Sequence, residues 1–167
     1  ALMRSAQDQG RNLSLLRAVE QVNEAQKSLL SQRIVERFGA DLSGRRFAVW
    51  GLAFKPHTDD VRDAPSRVLI EDLLERGAQV QAYDPVATQA AQRAFGARHR
   101  LTYAKQAMDA LADADALLIV TEWTEFRSPD FASMRAAMRQ PVVFDGRNLY
   151  EPSLMRRHGF EYRGVGR

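Results

Sequence analysis

Between Gly51 and Ser66 the sequence places two cations, Lys55 and Arg62, among three carboxylates, Asp59, Asp60 and Asp63. The acids have a structural use. They stand near the start of a helix that Pro65 would open, and they could pair with Arg62 and Arg67. Lys55 points instead to a ligand, because it lies just beyond Phe47–Leu52, a continuous apolar run of the kind that forms a strand buried on both faces. A second cation, Arg147, lies in Asp145-Gly146-Arg147-Asn148, just after the strand-like run Val142–Asp145. Gly146 permits a tight, left-handed turn there. Two such cations on one rim would clamp a diphosphate, the arginine through two parallel hydrogen bonds. Arg147 could equally satisfy Asp145 or a helix end.

Other chemistries find no support. The chain has no cysteine, which excludes disulfides, thiolate metal sites and a cysteine nucleophile within it. His57, His99 and His158 have no metal-ligand spacing and read as surface or loop residues. Ser66 lacks a nucleophile-elbow context. Gly51 starts no G-x-G-x-x-G turn, so the first strand does not open a standard NAD-binding unit. Glu122-Trp123 could contact a ribose or a base, although Trp123 and Phe126 suit packing as well.

The elements that must carry these residues follow from the hydrophobic pattern. With 45% hydrophobic and 27% charged residues among 167, the chain is globular in composition. No apolar stretch approaches the ~20 residues of a membrane span. The net charge of +3 combines 21 Arg with 3 Lys, scattered and without interleaved aromatics, so nucleic acid is not an expected partner. Apolar residues at helical spacing predict a long helix from Ser14 to Phe38, ended by Gly39, with a shorter helix before it over 1–9. Asn23 and Gln26 flank its apolar stripe, at a dimer interface or in solvent. Strands are then expected at Phe47–Leu52, Gln79–Tyr83, Leu101–Tyr103, Ala116–Thr121, Val142–Asp145 and Phe160–Arg163. Helices are expected at Pro65–Arg76, Val86–Phe95, Ala104–Leu111, Pro129–Met138 and Glu151–His158. The alternation predicts an α/β, Rossmann-like open and mainly parallel sheet of five to six strands with helices on both faces, preceded by the long helix. Ligands of such sheets bind beyond the carboxyl ends of the strands, which here are marked by Phe54-Lys55, Asp84, Thr121-Glu122 and Asp145-Gly146-Arg147.

Several longer motifs then occur in order: Trp50-Gly-Leu-Ala-Phe-Lys-Pro-His-Thr-Asp-Asp-Val-Arg-Asp-Ala-Pro-Ser66, Ala82-Tyr-Asp-Pro85, Thr121-Glu-Trp-Thr-Glu-Phe126 and Val143-Phe-Asp-Gly-Arg-Asn-Leu-Tyr150. Together they resemble the carboxy-terminal domain of UDP-glucose/GDP-mannose dehydrogenases, and Leu15–Lys27 resembles the helix that joins the two domains of that family and forms its dimer core. The Asp-Gly-Arg-Asn-Leu-Tyr form is most similar to the UDP-glucose 6-dehydrogenase branch; UDP-N-acetylmannosamine and GDP-mannose enzymes are the alternatives within the family.

The resemblance implies a division into a central helical segment, 1–40, and a UDP-sugar-binding domain, 41–167. It implies that Phe54, Lys55 and Arg147 contact the UDP-sugar and that Arg62 reaches NAD held by a separate amino-terminal domain. It further implies a homodimer through Ser14–Phe38 and a cytoplasmic enzyme of polysaccharide biosynthesis that oxidises the sugar C6 alcohol to a carboxylate. The family's catalytic cysteine has no counterpart in this chain, so the chain alone is expected to be inactive. A stand-alone nucleotide-binding or dimerisation module is the competing expectation.

Overall fold

The computed structural model describes residues 28–166. A helix over 28–38, here α1, leads into β1 (Arg46–Trp50), α2 (Pro65–Glu75), β2 (Gln79–Tyr83), α3 (Thr88–Phe95), β3 (Leu101–Tyr103), β4 (Ala116–Ile119), α4 (Phe131–Ala137), β5 (Val142–Asp145), α5 (Pro152–Arg157) and β6 (Glu161–Gly164). Single 3-10 turns stand at Asp109–Leu111 and Thr124–Phe126. The six strands form one sheet in the order β3-β2-β1-β4-β5-β6, and every pairing is parallel.

Strand alternation divides the core between the two faces of this sheet. Phe47, Val49, Val80, Leu118 and Phe144 look toward α1, α2 and α3, where Ile34, Leu69, Ile70, Leu73 and Phe95 meet them. Ala48, Trp50, Leu117, Ile119 and Val143 look the other way, onto Leu111, Phe126, Met134 and Met155. Burial on both sides explains why β1 and β4 are continuous apolar runs. Trp50 stacks on Phe126 with ring centres 4.9 Å apart and donates its indole N–H to Ala107 O at 2.8 Å.

At the amino edge of the sheet, buried Asp115 collects Arg46 N at 2.9 Å, Gln140 Nε2 at 3.0 Å and the guanidinium of Arg139 at 3.2 Å. This ties the starts of β1, β4 and β5. In α1, Leu30, Ile34 and Phe38 pack on the sheet, with Phe38 edge-on to Phe47. Arg37 pairs with Glu161 of β6 at 2.9 Å.

Three differences from the sequence expectation have physical causes. The helix expected at Ala104–Leu111 is reduced to the 3-10 turn Asp109–Leu111, because the segment follows an outer strand of three residues and delivers Ala110 and Leu111 directly into the core. The turn at Thr124–Phe126 is too short to show a helical period, and it buries Phe126. β5 is followed by a left-handed residue at Asn148 (φ 54°), not at Gly146. The beginning of the long helix, from Ser14, and the shorter helix before it lie outside the described residues.

At Gly51 the chain leaves β1 with φ +94°, and a Cβ there would stand 2.5 Å from the Thr121 backbone nitrogen. Gly51→Ala combines left-handed strain of about 1–2 kcal/mol with that overlap. We expect a loss of at least about 2 kcal/mol and a melting temperature lowered by about 4–8 °C. Thermal unfolding checks this; an unchanged midpoint would contradict the close approach.

Candidate functional site

The order of strands reverses between β1 and β4, so the crevice beyond their carboxyl ends is where a ligand of this architecture binds. Its floor is made by the turns after β1, β2 and β4, and a single carboxylate joins all three. Asp84, buried at the end of β2, accepts from Leu52 N at 2.8 Å and Ala53 N at 3.2 Å in the β1 turn. It accepts from Val86 N at 2.9 Å and Ala87 N at 2.8 Å in its own turn, and from the Trp123 indole N–H at 3.1 Å beyond β4. Five neutral donors thus solvate the charge in place of water. The Thr121 hydroxyl donates to Ala53 O at 2.7 Å, and the buried Ser66 hydroxyl donates to Leu52 O at 2.6 Å. Ser66 is therefore structural, and so are Trp123 and Phe126, both buried.

From this fixed floor the chain rises into an exposed loop. Phe54 stands outward at 52% exposure, and Lys55 beside it is exposed. Phe54 N bonds Asp60 O at 3.0 Å, closing the loop on itself. His57 and Asp63 take left-handed conformations, with φ of 62° and 54°. The His57 ring meets Trp123 edge-on, centres 5.1 Å apart. Arg62 is 86% exposed and pairs with Asp60 at 2.9 Å. The hydrogen bonds from Arg62 hold the Asp60 carboxyl down at about 2. The expected pairing of these acids with Arg62 is thus realised through Asp60, whereas Arg67 pairs with Glu71 one helical turn on, at 3.2 Å.

Across the crevice, the turn after β5 is built in the same manner. Asp145, fully buried, accepts from Arg147 N at 2.9 Å, Leu149 N at 2.7 Å, Tyr150 N at 3.3 Å and the Tyr162 hydroxyl at 2.9 Å. Burial pushes the Tyr150 phenol well above its ordinary range, so it stays protonated and donates to Phe126 O. Gly146 is required by proximity: a Cβ there would lie 2.9 Å from Ile119 O and 2.9 Å from a Leu30 methyl. That approach sets Arg147 against the end of β4. Its Nε–H points at Val120 O, 2.6 Å away, and lies 3.0 Å from Glu122 Oε2.

The structure therefore brings Lys55 and Arg147 to one sheet edge, on turns either side of the end of β4, with Phe54 next to Lys55. No contact joins Lys55 to Arg147 among the described residues, and Arg62 sits farther along the loop. Asp84 was legible from the sequence only as a strand-end residue. The Asp-Pro step is a turn signal, but the converging donors come from distant segments. Glu122 as the ionic partner of Arg147 had no sequence signal beyond its place after β4. The turn after β1 does not fit a dinucleotide: no second glycine follows Gly51 to let the backbone approach a pyrophosphate, and residues 51–64 form a long loop before α2.

The fold and this edge define a Rossmann-like domain that carries two cations at its strand-order reversal and has no dinucleotide turn of its own. Residues 48–152 match the model of the UDP-glucose/GDP-mannose dehydrogenase family, UDP binding domain, and the chain belongs to that family. A UDP-glucose 6-dehydrogenase of Pseudomonas aeruginosa is 49% identical over all of this chain and 38% of its own length. One of Rhizobium meliloti is 37% identical, again over all of this chain and 38% of its own length. Among solved structures, a UDP-glucose dehydrogenase from Pyrobaculum islandicum superposes with a TM-score of 0.79 at 34% identity, covering 99% of this chain and 35% of that one. The chain thus spans well under half the length of the relatives it matches.

Removing the Asp84 carboxylate strands several buried donors at once. We expect Asp84→Ala to lower the unfolding free energy by about 3 kcal/mol or more. Urea denaturation measures this, and a loss below about 1 kcal/mol would contradict the role of Asp84. In carboxyl NMR, Asp60 should titrate near 2 and return toward 3.8 in Arg62→Ala. Because the folded value is depressed, the pairing favours the folded loop above the ordinary aspartate range and is lost as pH falls toward 2. A midpoint unmoved by the substitution would exclude the pairing in solution.

Proposed function

We propose that this chain is the UDP-holding part of an NAD-dependent UDP-glucose 6-dehydrogenase, with Phe54, Lys55 and Arg147 contacting the UDP-sugar. The observation that carries the reading is the pair of cationic turns at the strand-order reversal, Lys55 beyond β1 and Arg147 beyond β5, both built on buried aspartates. Arg147 would supply parallel N–H donors to a phosphate and Lys55 a mobile point charge. Phe54, exposed at the crevice, would cover an apolar part of the ligand.

In this reading the chain's residues bind and orient the nucleotide end of the substrate. NAD supplies hydride acceptance when bound. The lack of a glycine-rich turn after β1 favours holding it on a separate domain, with the exposed Arg62 extending toward it. Residues 41–167 then form the UDP-sugar-binding domain, and 1–40 the central segment, through which two copies pair along Ser14–Phe38. Since Leu30, Ile34 and Phe38 pack on this sheet, the pairing surface of α1 must be its other side. No described helix is long and apolar enough to cross a membrane, and we place the enzyme in the cytoplasm, where nucleotide sugars are available to it.

Calorimetry with UDP tests the clamp. Arg147→Ala should cost about 1.5–3 kcal/mol of affinity, the worth of a charge-assisted hydrogen bond. An unchanged affinity would remove Arg147 from the site.

A further inference from the structure

The reading above uses Arg147 but leaves unexplained why its guanidinium is tied to an acid. Arg147 Nε is 2.6 Å from Val120 O and 3.0 Å from Glu122 Oε2. Both partners belong to the segment that leaves β4, the strand at the order reversal. Oε2 of Glu122 is shut off from solvent and accepts no hydrogen bond among the described residues: the Arg147 Nε–H goes to Val120 O, and Glu122 meets the guanidinium as an ion pair only. The backbone N–H of Arg147 is fixed separately, by Asp145 at 2.9 Å. The side chain is thus held at both its root and its Nε, while its terminal nitrogens donate no hydrogen bond among the described residues. The side chain remains about one-third exposed, at 32%.

We propose that Glu122 is a positioning residue for the phosphate clamp: it locks the Nε edge of Arg147 against the end of β4 and leaves the Nη1–Nη2 edge for a phosphate. This rests on the reading of Arg147 as a ligand contact. An arginine has several rotatable bonds, and fixing it on binding costs rotamer entropy. Here the order is present before the ligand arrives. A guanidinium held by Nε can still offer two parallel N–H groups to a phosphate. The acid also halves the local positive charge, so the site selects by geometry as well as by charge. Glu122 therefore belongs to specificity for a phosphate placed end-on to Arg147, and it does not itself touch the ligand.

The test is calorimetry of the 167-residue chain with UDP, for the parent, Glu122→Ala, Glu122→Asp, Arg147→Ala and the double variant Glu122→Ala/Arg147→Ala. We expect Glu122→Ala to weaken UDP about tenfold. Glu122→Asp, which keeps the carboxylate, should recover to within about threefold of the parent. With Arg147 already removed, Glu122→Ala should have no further effect. A Glu122→Ala chain that binds UDP as tightly as the parent or tighter, while Arg147→Ala weakens it, would overturn the positioning role and make Glu122 a competitor for Arg147. Failure of the Asp variant to recover any affinity would mark the loss as general damage and also overturn it. An Arg147→Ala chain with unchanged UDP affinity, or a parent chain silent toward UDP, would overturn the clamp reading itself. Independently of any variant, the Arg147 Nε–Hε proton should give a resolved, exchange-protected NMR signal before UDP is added. A signal that emerges only with UDP would overturn the pre-positioning.

Discussion

A buried carboxylate with no cationic partner is costly unless enough dipoles replace its water. Asp84 meets that condition with five N–H donors drawn from the turns after β1, β2 and β4. Because each turn supplies at least one donor, none can move without exposing the charge to an incomplete shell. The crevice floor is therefore rigid, and what lies just beyond it inherits a fixed origin. Phe54 and Lys55 begin one residue after the last donor, Ala53, which is also held by Thr121. Asp145 repeats the device beyond β5 and sets the root of Arg147. Asp115 does the corresponding task at the opposite edge of the sheet. Asp84 and Asp145 accept from backbone or neutral side-chain donors, which leaves the cations of the crevice rim for other partners, whereas Asp115 also pairs with Arg45 and Arg139.

The strand order is that of a dinucleotide-binding sheet, yet the feature that would admit a dinucleotide is missing. In such sheets the first turn is kept open by glycines so that a pyrophosphate can approach the backbone. Here Gly51 serves a different neighbour. Thr121 occupies the space beside it, and its hydroxyl then bonds across to Ala53. With no second glycine to bring a pyrophosphate onto the backbone, the cations of this edge stand on side chains of the loop and of the β5 turn, Lys55 and Arg147. A family whose members include a UDP binding domain of this kind can thus share a sheet topology with dinucleotide-binding units and hold a different ligand by different means.

Much of this was legible in the sequence, and the reasons are specific. β2, β3 and β5 have the bounds that their alternating or apolar runs predict, because burial on one or both faces dictates those patterns. The candidate residues Lys55 and Arg147 follow from their places after strands, and both stand on the carboxyl edge of the sheet. The helix expected at Ala104–Leu111 fails because local propensity was overridden by the need to bring Ala110 and Leu111 into the core. The turn signal at Gly146 suggests handedness, but close contact with Ile119 and Leu30 is what excludes a side chain there. Partners distant in sequence were not legible at all. Nothing in the spacing of Glu122 and Arg147, or of Asp84 and Trp123, announces that they meet.

The central claim is that this chain carries a half-site for a uridine diphosphate already formed by its own turns. Titration of the purified chain with UDP by calorimetry, with GDP and NAD in parallel, tests it most directly. Saturable heat with UDP, and none with GDP or NAD, is the predicted result. Silence toward UDP, or binding of NAD in its place, would contradict it.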